Sequence, residues 1–196
     1  SSFDLWEECK GHHFYTRIVQ YKALTDGADL ADKMGDPAAA DHYRRISKLL
    51  KAALKDHWDS NGFIRESFSE NCQYKDTGLD SATILGVLHT NGANGLYAFS
   101  DERVLATAYE IDRAFKYEYR INQVTENSAG KRIETAIGRY PKDRYNGYDT
   151  TGNGNPWVLT TNAFAEYYYG VVSSYESENN IEITPINFKF FKDLMG

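Results

Sequence analysis

The sequence predicts an all-α domain, and three of its features support this prediction. Apolar residues recur at every third or fourth position through most of the chain, the spacing that places them on one face of a helix. Segments rich in Gly, Pro and Asn separate these stretches. The alternation of apolar and polar residues typical of a strand is confined to a few residues near Ile181 to Ile183. We therefore expect helices of unequal length that are joined by long loops.

Two helices are predicted in the first third of the chain. The first extends from His13 to Met34, where Gly35 provides a C-cap and Pro37 starts the next helix. Its apolar stripe consists of Phe14, Ile18, Tyr21, Leu24, Ala28 and Ala31. The second helix ends near His57. Its stripe consists of Tyr43, Ile46, Leu50, Ala53 and Leu54.

Four more elements follow in order. A short apolar helix is predicted over residues 79–89, followed by a Gly- and Asn-rich loop. Ser100 is predicted to cap the next helix, which has apolar residues at 104, 108, 111 and 115. Pro156 suits the first turn of a long helix rich in aromatic residues. Asn187 is predicted to open a short final helix, and no linker divides the chain.

The composition excludes several functions. The net charge is −6 and no basic run occurs, so neither nucleic acid nor an anionic membrane is an expected partner. No apolar stretch approaches the ~20 residues that span a bilayer. Cys9 and Cys72 form no zinc-binding spacing, and the sequence leaves open whether they form one disulfide or remain two buried thiols. We expect neither a metal nor a cofactor.

The acidic segment from Asp4 to Glu8 has two interpretations. Asp4 and Glu7 have the spacing of a capping box at the start of a helix. Alternatively, one glutamate protonates a glycosidic oxygen, because like charges and the apolar Trp6 raise the pKa of a carboxyl group. Since successive helical residues point about 100° apart, Glu7 and Glu8 cannot perform the same task. One glutamate would act as the acid, and the other would accept hydrogen bonds from sugar hydroxyls.

Three sequence blocks resemble the glucoamylases of glycoside hydrolase family 15, most closely the yeast-type enzymes. The blocks occur in the order found in the family and span almost the whole chain. They are Phe3-Asp4-Leu5-Trp6-Glu7-Glu8 with Phe14-Tyr15-Thr16, Leu79-Asp80-Ser81-Ala82-Thr83-Ile84-Leu85-Gly86, and Gly138-Arg139-Tyr140-Pro141 with Asp143, Tyr145-Asn146-Gly147 and Gly154-Asn155-Pro156-Trp157.

The resemblance implies part of an (α/α)6 barrel, with residues 1–196 forming a middle section of one catalytic domain. It implies a secreted or vacuolar monomer that acts on starch and malto-oligosaccharides. Such an enzyme cleaves α-1,4 bonds, and α-1,6 bonds more slowly, from non-reducing ends and releases β-glucose by inversion. The family's catalytic base is expected after residue 196. The alternative is therefore a non-catalytic α-glucan-binding or structural helical fragment.

The resemblance also implies roles for individual residues of the acidic segment. Glu7 matches the general acid, and Glu8 matches a carboxylate that binds substrate. Asp4 matches a carboxylate that supports the pair, and the carbonyl group of Leu5 matches a sugar contact.

The third block is expected to complete the binding pocket. Arg139 matches an arginine that donates hydrogen bonds to sugar hydroxyls, a task that suits a guanidinium group. Tyr145 and Trp157 match aromatic residues that line the pocket. Two other interpretations remain open: Arg139 pairs with Asp143 as a loop arginine, and Trp157 only packs at a helix start.

Overall fold

Helices make up most of the described structure, as predicted. A computed structural model describes residues 1–69, 71–123 and 134–195. The α-helices are α1 Phe14–Lys33, α2 Pro37–Lys55, α3 Ala82–His89, α4 Glu102–Glu118, α5 Val158–Glu178 and α6 Phe188–Met195. Single 3-10 turns lie at Gln73–Lys75, Asn91–Gly95 and Arg120–Gln123.

The helix boundaries confirm most of the predicted ends. Asp36 caps α2 with its carboxylate, and Pro37 is the first residue of that helix. The predicted cap of α4 is wrong: Asp101, not Ser100, accepts a hydrogen bond from the Arg103 N–H at 2.8 Å. The Ser100 hydroxyl instead donates to Glu178 on α5, at 3.1 Å. A carboxylate is the stronger acceptor for the orphan N–H groups of a helix start.

One other local prediction is also wrong. α5 begins at Val158, so Pro156 lies before the helix and not in its first turn. Residues 181–183 pair with no strand among the described residues, because a few alternating residues without a neighbouring strand cannot form a ladder. The strands that do form are β1 Ser2–Phe3, β2 Lys10–His13 and β3 Ser67–Phe68, paired antiparallel in that order.

The core lies between the helices. α1 packs against α2 and α3, α3 packs against α5, and α4 packs against α6. The Tyr97 hydroxyl donates to the Leu54 carbonyl group at 3.1 Å, so the loop after α3 is tied to the end of α2. Large residues that are fully buried in this core include Phe14, Ile18, Leu54, Ile84, Leu105, Ile111, Phe115 and Tyr167.

Hydrogen bonds join α3 to the segment that precedes α5. The N–H and the hydroxyl group of Ser81, at the start of α3, both donate to the Arg139 carbonyl group, at 2.8 and 2.9 Å. The Trp157 N–H donates to the Ile137 carbonyl group at 2.9 Å. The segment 137–157 is therefore fixed at the N-terminal end of α3.

A disulfide joins Cys9, at the end of the β1–β2 connection, to Cys72. This settles the alternative that the sequence left open. The bond connects the acidic segment to the chain that leads into α3. Within the described part of the chain, no helix is both long enough and apolar enough to cross a membrane.

Candidate active site

The acidic segment forms a tight turn between β1 and β2, which we call the acidic turn (residues 4–9). The Asp4 N–H donates to the Cys9 carbonyl group at 2.8 Å. The Asp4 carboxylate accepts from the N–H groups of Glu8 and Cys9, at 2.8 and 2.9 Å. The capping-box interpretation is therefore wrong, because Asp4 satisfies N–H groups across a turn that joins two strands.

Glu7 lies at the apex of the acidic turn in an unusual conformation. Its φ is 60°, in the left-handed region that costs a non-glycine residue about 1 kcal/mol or more. Its N–H donates to the Asp4 carbonyl group at 3.1 Å. The side chain is exposed, and within the described residues its carboxyl group has no hydrogen-bond or ion-pair partner. The turn therefore presents this carboxyl group outward.

Glu8, in contrast, is held through both carboxylate oxygens. Oε1 lies 2.8 Å from Nη2 of Arg139, and Oε2 accepts a hydrogen bond from the Tyr140 hydroxyl at 2.7 Å. Burial and the hydrogen bond to Glu8 raise the pKa of Tyr140 well above its ordinary value, so this hydroxyl remains a donor. The two adjacent glutamates therefore have different environments, although they lie in a turn and not on the helix from which the sequence analysis argued.

Arg139 links Glu8 to Asp143. Its Nε and Nη2 atoms donate to the two oxygens of Asp143, at 2.7 and 2.9 Å, in a bidentate pair. The side chain is buried. Burial opposes its charge, but the hydrogen bonds to Asp143 and the carboxylate of Glu8 raise the pKa of Arg139 above its ordinary value. The pairing with Asp143 that the sequence offered as one interpretation is therefore present, and Arg139 also contacts Glu8.

Lys75, which no sequence pattern predicted as a site residue, contacts the acidic turn. Its Nζ atom is 2.6 Å from Asp4, 3.3 Å from Asp80 and 3.7 Å from Glu8. It also lies 3.9 Å from the centroid of the Tyr140 ring. Lys75 comes from an irregular segment with no periodicity and no motif, so no pattern marks it as buried.

Two buried carboxyl groups support the site from the side of α3. Asp80 accepts a hydrogen bond from the Trp6 indole N–H at 2.9 Å, and burial raises its pKa. Glu66 accepts from the Thr83 hydroxyl at 2.9 Å and from the Tyr15 N–H at 3.1 Å. Burial and the neighbouring Asp80 charge raise the pKa of Glu66 well above its ordinary value. Glu66 is isolated in sequence, and our reading of the sequence missed it.

Aromatic rings surround the guanidinium group of Arg139. The rings of Tyr145 and Trp157 stack with their centroids 6.0 Å apart. The central carbon of the guanidinium group is 5.0 Å from the Tyr145 ring, 5.9 Å from the Trp157 ring and 5.5 Å from the Trp6 ring. The structure therefore brings together the predicted arginine and both predicted aromatic residues.

Leu5 lies on another side of the acidic turn. Together with Trp6 it lines a cavity of about 390 Å³ whose other walls come from α3 and α5. Leu5 is half-buried, so its side chain contributes to packing against these helices. Trp6 lines the same cavity and also lies 5.5 Å from the Arg139 guanidinium group, so the cavity adjoins the Arg139 cluster.

The chain between Asp143 and Trp157 closes on itself. Gly154 has a φ of 64°, and a Cβ atom there would lie 2.3 Å from the Asp143 carbonyl oxygen. Only glycine, which has no Cβ atom, can lie this close to the Asp143 carbonyl group. The Tyr145 hydroxyl donates to the Gly147 carbonyl group at 2.9 Å, which fixes the start of the loop.

Carboxylates, a buried guanidinium group and stacked aromatic rings on an all-α scaffold are the combination expected of a glycoside hydrolase domain. Residues 1–196 match the family model described as "Glycosyl hydrolases family 15". The chain belongs to this family, and the resemblance noted from the three sequence blocks is confirmed.

Similar proteins agree with this assignment. The chain is 38% identical to a glucoamylase of Blastobotrys adeninivorans and 34% identical to glucoamylase 1 of Rhizopus oryzae. Each match covers 97% of this chain and 31% of the relative, so the chain spans about a third of the length of these relatives.

A solved structure gives the same result for the fold. The glucoamylase of Saccharomycopsis fibuligera matches with a TM-score of 0.83 and 33% identity, over 96% of this chain and 39% of that one. The match confirms the predicted fold class, in which the chain forms part of an (α/α)6 barrel.

Proposed function

We propose that this chain is part of an inverting, exo-acting glucosidase. The protein cleaves α-1,4 bonds, and α-1,6 bonds more slowly, from the non-reducing ends of starch and malto-oligosaccharides and releases β-glucose. The observation that carries the proposal is the pair of adjacent glutamates in different environments. Glu7 presents a free carboxyl group, whereas Glu8 is fixed by Arg139 and Tyr140.

In this mechanism Glu7 is the general acid that protonates the departing glycosidic oxygen. Glu8 and Arg139 bind the hydroxyl groups of the terminal glucose, and Asp4 maintains the geometry of the acidic turn. Tyr145 and Trp157 offer apolar ring surfaces to the sugar faces. The Leu5 carbonyl group provides one further acceptor.

Inversion also requires a second carboxylate, which activates water on the opposite face of the sugar. The two carboxyl groups stand roughly 6.5–9.5 Å apart in inverting enzymes, to leave room for that water. We propose that this base comes from the chain after residue 196. No step of the reaction calls for a metal or another cofactor.

The Cys9–Cys72 disulfide supports a location for the protein. Disulfides persist in oxidising compartments and are rare in the cytosol. We therefore propose that the protein is secreted or vacuolar. By resemblance, we also propose that it acts as a monomer on starch and malto-oligosaccharides.

The test is Glu7→Gln in the full-length protein, with malto-oligosaccharides as substrates. Glutamine keeps the size of the side chain but has no proton of suitable acidity, so kcat should fall by at least about 100-fold. Glu176→Gln, on the exposed side of α5, is the matched control and should retain the wild-type rate. Nuclear magnetic resonance of the fresh product should show β-glucose.

Two results would contradict parts of the proposal. Glu7→Gln with wild-type turnover would remove Glu7 from the role of acid. A wild-type protein that binds malto-oligosaccharides but releases no glucose would favour the alternative of a non-catalytic α-glucan-binding protein.

A further inference from the structure

Lys75 occupies a position that the proposed reaction does not use. Its ammonium group is buried and lies within 4 Å of three carboxylates, those of Asp4, Glu8 and Asp80. Two of these belong to the acidic turn, and the third precedes α3. Among the described residues, the only other cation of this cluster is Arg139, which is already engaged by Asp143 and Glu8.

A short chain of contacts leads from Lys75 to the apex of the acidic turn. Lys75 holds one oxygen of Asp4 at 2.6 Å, and the other oxygen of Asp4 accepts the N–H groups of Glu8 and Cys9. The Asp4 carbonyl group in turn accepts the Glu7 N–H. A movement of the Asp4 carboxylate would therefore release the backbone on the C-terminal side of Glu7.

The positive charge of Lys75, and not only the size of its side chain, stabilises the carboxylates of this site. Asp4 and Asp80 are both almost fully buried, and a buried carboxylate without a cation is strongly disfavoured. Without the lysine, one or both groups would take up a proton or turn toward water. Either change would alter the hydrogen bonds that Asp4 makes to the acidic turn.

We propose that Lys75 is a positioning residue for the general acid and the substrate-binding carboxylate. It fixes Asp4, and through Asp4 the acidic turn that carries Glu7, and it provides the second positive charge beside Glu8. The effect of Lys75 on turnover rests on the proposed function. The effect of Lys75 on the geometry of the acidic turn is independent of that function.

The role has a consequence for the pH dependence of activity. Lys75 and the N–H groups of Cys9 and Glu8 face the Asp4 carboxylate directly. His13 on β2 lies nearby, and the carboxylates of Glu8 and Asp80 both contact Lys75. Burial opposes the ionisation of Asp4, but the hydrogen bonds from Cys9 and Lys75 hold its pKa below the ordinary value. The ionised form is present above this pKa and is lost as the pH falls through it. Removal of Lys75 raises the pKa of Asp4, so activity should fail at a higher pH on the acid side.

The experiment uses four variants of the full-length protein: Lys75→Met, Lys75→Arg, Asp80→Asn and the double variant Lys75→Met/Asp80→Asn. Methionine keeps the length of the side chain without its charge, and arginine keeps the charge. The double variant removes one buried negative charge together with the cation, so it should fold better than Lys75→Met. Lys189→Met, which breaks an exposed pair with Glu110, is the matched control and should retain wild-type kinetics.

We expect kcat/KM of the double variant to fall roughly 100-fold below that of Asp80→Asn, because small displacements of catalytic groups have effects of this size. We also expect the acid limb of its pH profile to move upward and Lys75→Arg to recover part of the activity. A folded double variant with the kcat/KM and the pH profile of Asp80→Asn would overturn the proposal.

A crystal structure of the double variant separates this proposal from the proposed function. If the wild-type protein hydrolyses no α-glucan, the proposed function fails, and the role of Lys75 is then judged from the acidic turn alone. We expect the N–H groups of Glu8 and Cys9 to lose their contacts with the Asp4 carboxylate. An acidic turn that superimposes on the wild type would refute the positioning role.

Discussion

Substitution of Arg139 by lysine isolates geometry from charge at the centre of the site. The arginine makes three charge-assisted hydrogen bonds, two to Asp143 and one to Glu8, at 2.7–2.9 Å. Its planar fork reaches both carboxylates at once, whereas a lysine ammonium is a single point charge on a flexible stem. Arg139→Lys should therefore keep one partner well bound and lose or weaken the bonds to the other.

The magnitude follows from the bonds that are lost. A hydrogen bond to a charged group contributes roughly 1.5–3 kcal/mol. The loss of one or two of them should lower the free energy of unfolding by about 1.5–6 kcal/mol. For a cooperative unit of this size, each kcal/mol shifts Tm by roughly 2–4 °C. If Glu8 binds substrate as proposed, KM should rise as well, because Glu8 loses its partner on Oε1.

Urea unfolding and thermal unfolding measure the first effect, and steady-state kinetics on maltose measures the second. Arg113→Lys is the control, because that arginine is exposed and lies 3.8 Å from Glu110. The reasoning would be refuted by an Arg139→Lys protein whose free energy of unfolding lies within about 0.5 kcal/mol of the wild-type value and whose KM is unchanged. Arg139, anchored by its bidentate pair with Asp143, would then not be the support of Glu8.

Two further predictions concern stability. Cys9→Ser/Cys72→Ser opens a covalent link between residues 63 positions apart, and the chain-entropy relation then gives a loss of about 4 kcal/mol, measured by urea unfolding under oxidising conditions. Burial and the nearby Arg17 charge lower the pKa of His57 to about 4 from 6.5, although its hydrogen bond to the Arg65 carbonyl group opposes this. The unfolded chain therefore takes up a proton first as the pH falls from 6.5 to 4, and His57→Gln should abolish up to about 3 kcal/mol of the stability lost over that range.

Each of these two predictions has a result that contradicts it. Equal unfolding midpoints for the wild type and the double serine variant would show that the disulfide does not constrain the unfolded chain. For His57, the informative quantity is the difference between the two stability curves. Parallel curves from pH 7 to pH 4 would show that His57 ionises equally in both states.

Periodic features of the sequence predicted the secondary structure most reliably. Apolar stripes located the four long helices, because burial of one helical face imposes a repeat that a single sequence displays. Helix caps were less predictable, since Ser100 and Asp101 are both acceptable caps and the choice depends on the partner that each finds. The acidic turn was misread on local grounds for the same reason: Asp4 has suitable acceptors for either a helix start or a turn.

The site was predicted where residues lie in motifs and missed where the fold alone brings them in. Arg139, Tyr145 and Trp157 belong to one block, and the structure places them around one guanidinium group. Lys75 is 71 positions from Asp4, and no local pattern reports a contact of that kind. Glu66 is likewise a single carboxyl group whose burial becomes visible only when α3 covers it.

The contact between Gly154 and Asp143 has a consequence for how this part of the protein can vary. Ten residues separate the two, yet a Cβ atom at one would touch the backbone of the other, so the loop leaves and returns at a single point. The exposed residues from Tyr148 to Asn153 can therefore be lengthened, shortened or exchanged without displacing Arg139 and Asp143. Insertions and deletions in this stretch should therefore change the surface beside the candidate site and leave the contacts of Arg139 intact.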